Sequence, residues 1–204
     1  AFFAYFNRGN IQYKQGYYRE AVKDYSEAIQ KNPDAGIAYH NRAIAHIRQG
    51  NYQKAIKDWN QVSKLGSGDA GTFYNRGVAY SRIGDQQAAI ADYTKALQLN
   101  SNYALAYNSR GNIYADLGQH RLAIKDYTKA IEANPGFADA YNNRAVLLAA
   151  SKDKAGAIKD LKKAAQLLLD QGKTAKYQQV MDNIERLERS GNGQPVPTNS
   201  NSGL

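Results

Sequence analysis

ALAYNSRGNIYADLGQHRLAIKDYTKAIEANPGF, residues 104–137, carries two helical patterns joined by a turn. Tyr107, Gly111 and Tyr114 lie at i, i+4 and i+7, a single stripe on an α-helix. Gly118 then closes that helix, because glycine enters the left-handed conformation without a Cβ penalty. Ala123, Tyr127 and Ala130 repeat the same spacing. The second pattern ends near Asn134-Pro135, where proline blocks continuation.

The unit recurs through the chain with a 34-residue period. Its first half reads Tyr5-Phe6-Asn7-Arg8-Gly9, Tyr39-His40-Asn41-Arg42-Ala43, Phe73-Tyr74-Asn75-Arg76-Gly77, Tyr107-Asn108-Ser109-Arg110-Gly111 and Tyr141-Asn142-Asn143-Arg144-Ala145. Its second half carries Ala21-Val22, Ala55-Ile56, Ala89-Ile90, Ala123-Ile124 and Ala157-Ile158, and Gly16, Gly50 and Gly84 repeat the turn. Five tandem units therefore occupy 2–35, 36–69, 70–103, 104–137 and 138–171. The small residues Gly9, Ala43, Gly77, Gly111 and Ala145 are expected where two helix backbones approach closely. Tyr25, Trp59, Tyr93 and Tyr127, with first-helix aromatics such as Tyr39 and Phe73, are expected to fill the gaps between helices. One unit cannot bury these faces alone, so stability must come from stacked neighbours.

Beyond residue 171 the period is lost. Tyr177, Val180, Met181, Ile184 and Leu187 form one apolar stripe, which predicts a single helix over 172–189 that caps the last repeat. The Gly-, Ser-, Asn- and Pro-rich segment 190–204 is expected to be a disordered tail.

The 204 residues contain no cysteine, which removes disulfides, thiolate metal sites and cysteine nucleophiles. No apolar run is long enough to span a membrane. The chain begins at Ala1, so a removed leader, a trimmed methionine and a truncated sequence all stay open. A cytoplasmic location is slightly favoured, and an exported form follows if a leader was removed. The net charge of +9 raises nucleic acid as a partner. The cations, however, are spread one or two to a helix (Lys23, Lys57, Lys125, Lys159) and usually sit beside an acid, so no nucleic-acid partner is expected.

An aspartate stands in the second half of every unit: Asp24, Asp58, Asp92, Asp126 and Asp160. In a helical hairpin each lies at the same height as the arginine of its unit. The favoured reading is an internal ladder of ion pairs linking neighbouring repeats, and the competing one is a binding ladder. Catalytic patterns are weak. Gly66-Ser67-Gly68-Asp69-Ala70-Gly71 matches GxGxxG but follows a helix, where a dinucleotide site needs a preceding strand. It reads as an inter-repeat loop. His40, His46 and His120 have no metal-site spacing, and Ser63 and Ser81 have no partnered base. No catalysis, metal or cofactor is expected.

These units resemble the tetratricopeptide repeat family over residues 2–171, in an Asn-Arg-Gly variety similar to cyanobacterial and plastid repeats. Two departures stand out: arginine replaces the family's usual leucine in all five copies, and the closing proline survives only as Pro33 and Pro135. The resemblance implies an all-α, right-handed superhelical solenoid of five helix-turn-helix repeats plus a capping helix. It also implies a non-catalytic scaffold, of the kind used in complex assembly, that holds a peptide or helix in a groove lined by the first helices. Carried onto this chain, that groove presents Phe3, Phe6, Asn7, Asn10 and Tyr13; Ile37, His40, Asn41 and Ile44; Tyr74, Asn75, Val78 and Arg82; Leu105, Asn108 and Asn112; and Asn142 and Asn143. Asparagines that donate and accept suit a peptide backbone. The family's carboxylate clamp for chaperone tails is incomplete, since Phe6, Gly71 and Asn75 stand at its charged positions. Self-association through the aromatics of Phe2–Phe6 is the alternative.

Overall fold

The computed structural model describes residues 1–190, and the predicted tail beyond Ser190 lies outside them. The described residues form eleven α-helices and no strand. The chain divides into two compact units, residues 1–110 and a second beginning at Gly111. The first holds α1 (Phe2–Lys14), α2 (Tyr18–Lys31), α3 (Gly36–Arg48), α4 (Tyr52–Lys64), α5 (Ala70–Arg82) and α6 (Gln86–Leu99). The boundary falls inside α7 (Ala104–Asp116). The second unit continues with α8 (His120–Ala133), α9 (Ala138–Ala150), α10 (Lys154–Asp170) and α11 (Thr174–Ser190).

Each hairpin turns on a residue with positive φ. Gly16, at φ +84°, donates to Tyr13 O while Tyr17 N reaches back to Gln12 O, which satisfies the last carbonyls of α1. In the fifth copy Lys152 takes the same conformation at φ +67°, donating to Ala149 O while Asp153 N reaches back to Leu148 O. A Cβ-bearing residue there costs about 1–2 kcal/mol relative to glycine.

The second helices supply the core. Ala21, Ala55, Ala89, Ala123 and Ala157 are fully buried, with Tyr25, Trp59, Tyr93, Tyr127 and Leu161 one turn on. What lies nearest the glycines among the small first-helix residues is a ring, with the Ala123 backbone oxygen also close at Gly111. A Cβ at Gly9, Gly77 or Gly111 would lie 2.8 Å from the ring of Tyr25, Tyr93 or Tyr127. The glycine is a seat for a tyrosine ring, and where alanine stands instead, at Ala43 and Ala145, the opposing residue is Trp59 or Leu161.

The arginine ladder is internal. Arg8, Arg42, Arg76 and Arg144 grip Asp24, Asp58, Asp92 and Asp160 with two hydrogen bonds each, at 2.6–2.9 Å. The aspartates are 2–6% exposed. Each guanidinium also lies over the aromatic three residues before it, at 5.2–5.9 Å from the ring centre, as does that of Arg110 over Tyr107. From the second copy onward Nη1 reaches back sixteen residues to the preceding repeat: Arg42 to Ser26, Arg76 to Asn60, Arg110 to Thr94 and Arg144 to Thr128. An arginine in place of leucine thus ties three helices together. Arg8 has no such rung, and its side chain is 62% exposed against 14–20% for Arg42, Arg76 and Arg144.

In the second unit α11 covers α10. Val180 and Ile184 join Leu161, Ala164, Ala165 and Leu168, with Tyr177 and Leu187 packed alongside. The ladder stops here by sequence, since Gln178 stands where a sixth arginine would be and Lys162 replaces the hydroxyl or amide acceptor.

Candidate peptide-binding face

In the first unit side chains of α1 and α3 meet on one face. Asn10 Oδ1 accepts from Asn41 Nδ2 and from the Tyr25 hydroxyl, each at 2.9 Å. Burial raises the Tyr25 hydroxyl to about 12, so it stays protonated and donates. Arg48 Nε donates to the Tyr13 hydroxyl at 3.1 Å, closing the other end. Between these contacts lies an open cavity of about 370 Å³ lined by Asn10, Tyr13, Lys14, Tyr25, Asn41 and Ile44. It has a polar edge of asparagines and an apolar floor of Tyr25 and Ile44, the mix from which ligand pockets are built. The second unit repeats the polar motif, since Asn112 Oδ1 accepts from Tyr127 and from Asn143 Nδ2.

The other first-helix residues fall into three groups. Phe3, Ile37 and Leu105 are about half or more exposed, and Asn7 and Arg82 are exposed. Asn75 and Val78 are half-buried. The third group belongs more to the packing. Phe6 stacks on Phe2 and tilts against Tyr25, Asn108 is buried, and Asn142 Oδ1 is buried without a partner among the described residues. Tyr74, expected in the groove, contacts the rings of Tyr93 and Tyr103 at 5.7 and 5.0 Å. Replacing it would therefore loosen the core as well as the face.

His40 lies in a separate pocket of about 320 Å³ with Ile37, Ser67, Asp69 and Thr72. Its Nδ1 is 3.4 Å from the Thr72 hydroxyl, and burial lowers its pKa, against the pull of Asp69. Asp69 caps α5 by accepting from Thr72 N and Oγ1. Burial pushes its carboxyl up, but the Thr72 bonds outweigh that and hold it below the ordinary range. The amide position where a GxGxxG loop would receive a phosphate is filled by the chain's own carboxylate.

Lys14 lines the cavity and Arg48 holds its Tyr13, two cations absent from the groove expected from the sequence. The signal was present: a cation at the last position of α1, α3 and α5, 34 residues apart, in Lys14, Arg48 and Arg82.

Profiles described as tetratricopeptide repeat match residues 6–71, 70–103, 104–137 and 126–159. No curated protein matches the chain. Among solved structures, one of MamA protein is 27% identical, covers 84% of this chain and 94% of its own, and superposes with a TM-score of 0.77. YrrB, described as a tetratricopeptide-type protein with an unusual peptide-binding site, is 23% identical over 81% of this chain and 86% of its own, with a TM-score of 0.70. TTC0263, a thermophilic protein of Thermus thermophilus, is 19% identical over 89% of this chain and 99% of its own, at 0.64. The last two show a shared fold alone.

Proposed function

The chain belongs to the tetratricopeptide repeat family, whose members generally mediate protein–protein contacts and are typically non-catalytic, and from that premise we propose that its first-helix face binds a peptide or helix of a partner, as a scaffold in complex assembly. The observation that carries this reading is the open cavity between α1 and α3, with its asparagine edge and its Tyr25–Ile44 floor. Asparagine amides match the donors and acceptors of a backbone, and an apolar floor takes a side chain from water.

A photo-cross-linking amino acid at Asn7, on this face, is expected to capture a partner protein in cell extract. The same group at Lys57, exposed on the second helix α4, is expected to capture none. Capture from Lys57 and not from Asn7 would place function on the opposite surface.

Self-association through α1 is a second reading with its own support. Ala4, Arg8 and Ile11 are exposed, whereas the matching Ala38, Arg42 and Ala45 of α3 are buried or half-buried. Phe3 is 74% exposed and meets Phe2 edge-on. Phe6 belongs to the core, so Phe3→Ser with Ile11→Ser is the cleaner test. By light scattering the wild type would exceed the 22.6 kDa of one chain and the double variant would return to it. A wild type already at that mass removes this reading.

A further inference from the structure

In the first unit the first helices carry no acid. The stretches of α1, α3 and α5 contain neither Asp nor Glu, while they hold Arg8, Lys14, Arg42, Arg48, Arg76 and Arg82. Three of these six are neutralised by Asp24, Asp58 and Asp92 of the second helices. The remaining three, Lys14, Arg48 and Arg82, have no carboxylate partner among the described residues, and all are exposed. A cation in the last turn of a helix is favoured by the macrodipole alone, and Lys31 and Lys64 end α2 and α4 in the same way. What sets the first helices apart is the complete lack of acids and the site the cations flank. Lys14 lines the cavity, and Arg48 is fastened to the Tyr13 hydroxyl at its rim. Burial raises the pKa of the hydroxyl of Tyr93, the counterpart of Tyr25, and the charge of Arg82 partly offsets that rise.

From this arrangement we infer that the face selects an extended partner segment in which acidic residues alternate with apolar ones, its carboxylates meeting Lys14, Arg48 and Arg82. This rests on the peptide-binding reading above and names the class of peptide. The α1 and α3 side chains touch, through Asn10–Asn41 and Tyr13–Arg48, so these helices are neighbours. Packed helices lie about 8–10 Å apart, and an extended chain rises about 3.4 Å per residue. Side chains on one face of an extended segment recur at every second residue, about 6.8 Å, a spacing that the long, flexible Lys and Arg side chains bring into register with the row, and the alternate residues face the apolar floor. The carboxylates are side chains, so no free C-terminus is required. Exposed pairs of this kind contribute modestly one by one, and their joint effect is specificity and on-rate.

The test is a selection of random peptides displayed internally on phage, against the wild-type chain and against Lys14→Gln/Arg48→Gln/Arg82→Gln. Lys23→Gln/Lys57→Gln/Lys95→Gln, on exposed second-helix cations, is the matched charge control. Wild type and control are expected to enrich Asp and Glu beside apolar residues, and the first triple variant to keep the apolar preference and lose the acidic one. A selected peptide, labelled and followed by anisotropy, should bind the first triple variant about tenfold more weakly and weaken in salt. Selected peptides without excess acid, or acid excess that survives in the first triple variant, would overturn the acidic class while leaving a peptide-binding face. Equal loss in both triple variants, or displacement by single-stranded DNA at lower concentration than by the peptide's own unlabelled form, would assign the cations to general anion attraction and overturn it too. Enrichment of no peptide at all would remove both readings.

Discussion

Replacing Arg76 by Met tests the ladder where it is most enclosed. Arg76 holds both oxygens of Asp92 at 2.6 and 2.7 Å, reaches Asn60 and Ser63 of the preceding repeat, and lies over Phe73. The side chains of the pair are 14% and 8% exposed. Methionine keeps the stem's volume but leaves a buried carboxylate without its counter-charge, a change that costs about 3–5 kcal/mol. At about 2–4 °C per kcal/mol for a chain of this size, the Tm should fall by roughly 6–20 °C. Arg8→Met is the internal comparison. Asp24 is equally buried, but Arg8 is 62% exposed and its loss opens the carboxylate to water. That change should cost about 1–2 kcal/mol, the scale of a charged hydrogen bond lost at a wet site. Arg76→Met/Asp92→Leu should recover most of the loss, because an apolar pair of similar volume often replaces a buried ion pair without penalty. Urea and thermal unfolding followed by circular dichroism provide the readout. If Arg76→Met costs no more than Arg8→Met, burial is not what gives the ladder its weight.

Three further outcomes follow from the same packing. Gly77→Ala should destabilise by about 1–3 kcal/mol through overpacking against the buried Tyr93 ring, and Gly77→Ala/Tyr93→Leu, which copies the fifth repeat, should relieve the clash in the same unfolding assay. Lys152→Gly should stabilise by about 1 kcal/mol, since it removes a side chain from positive φ at a turn that four other repeats make with glycine. Burial lowers the pKa of His40 and His46 below the ordinary value, so the unfolded chain takes up protons first as pH falls. Their contribution is complete above about pH 6.5 and declines below it, and His40→Asn/His46→Asn should flatten that part of the stability–pH curve.

The repeat, its helix boundaries and its ion pairs were legible because each depends on spacing within 34 residues. Arg8 and Asp24 are equidistant from Gly16, so a hairpin brings them level whatever surrounds it. The sequence by itself also held the pairing of Gly9, Gly77 and Gly111 with tyrosine and of Ala43 and Ala145 with Trp59 and Leu161. Its meaning depended on knowing that a ring lies nearest the small residue. Tertiary structure alone decided which of the face residues are free. Tyr74 and Asn75 are sequence neighbours, yet the Tyr74 ring lies on Tyr93 and Tyr103. Asn10 and Asn41 are thirty-one residues apart and share one oxygen with Tyr25. Periodicity says which residues share a helix face. Which of them a neighbouring helix then covers depends on the relative rotation of packed helices, and that is set by side-chain volumes brought together from three segments at once.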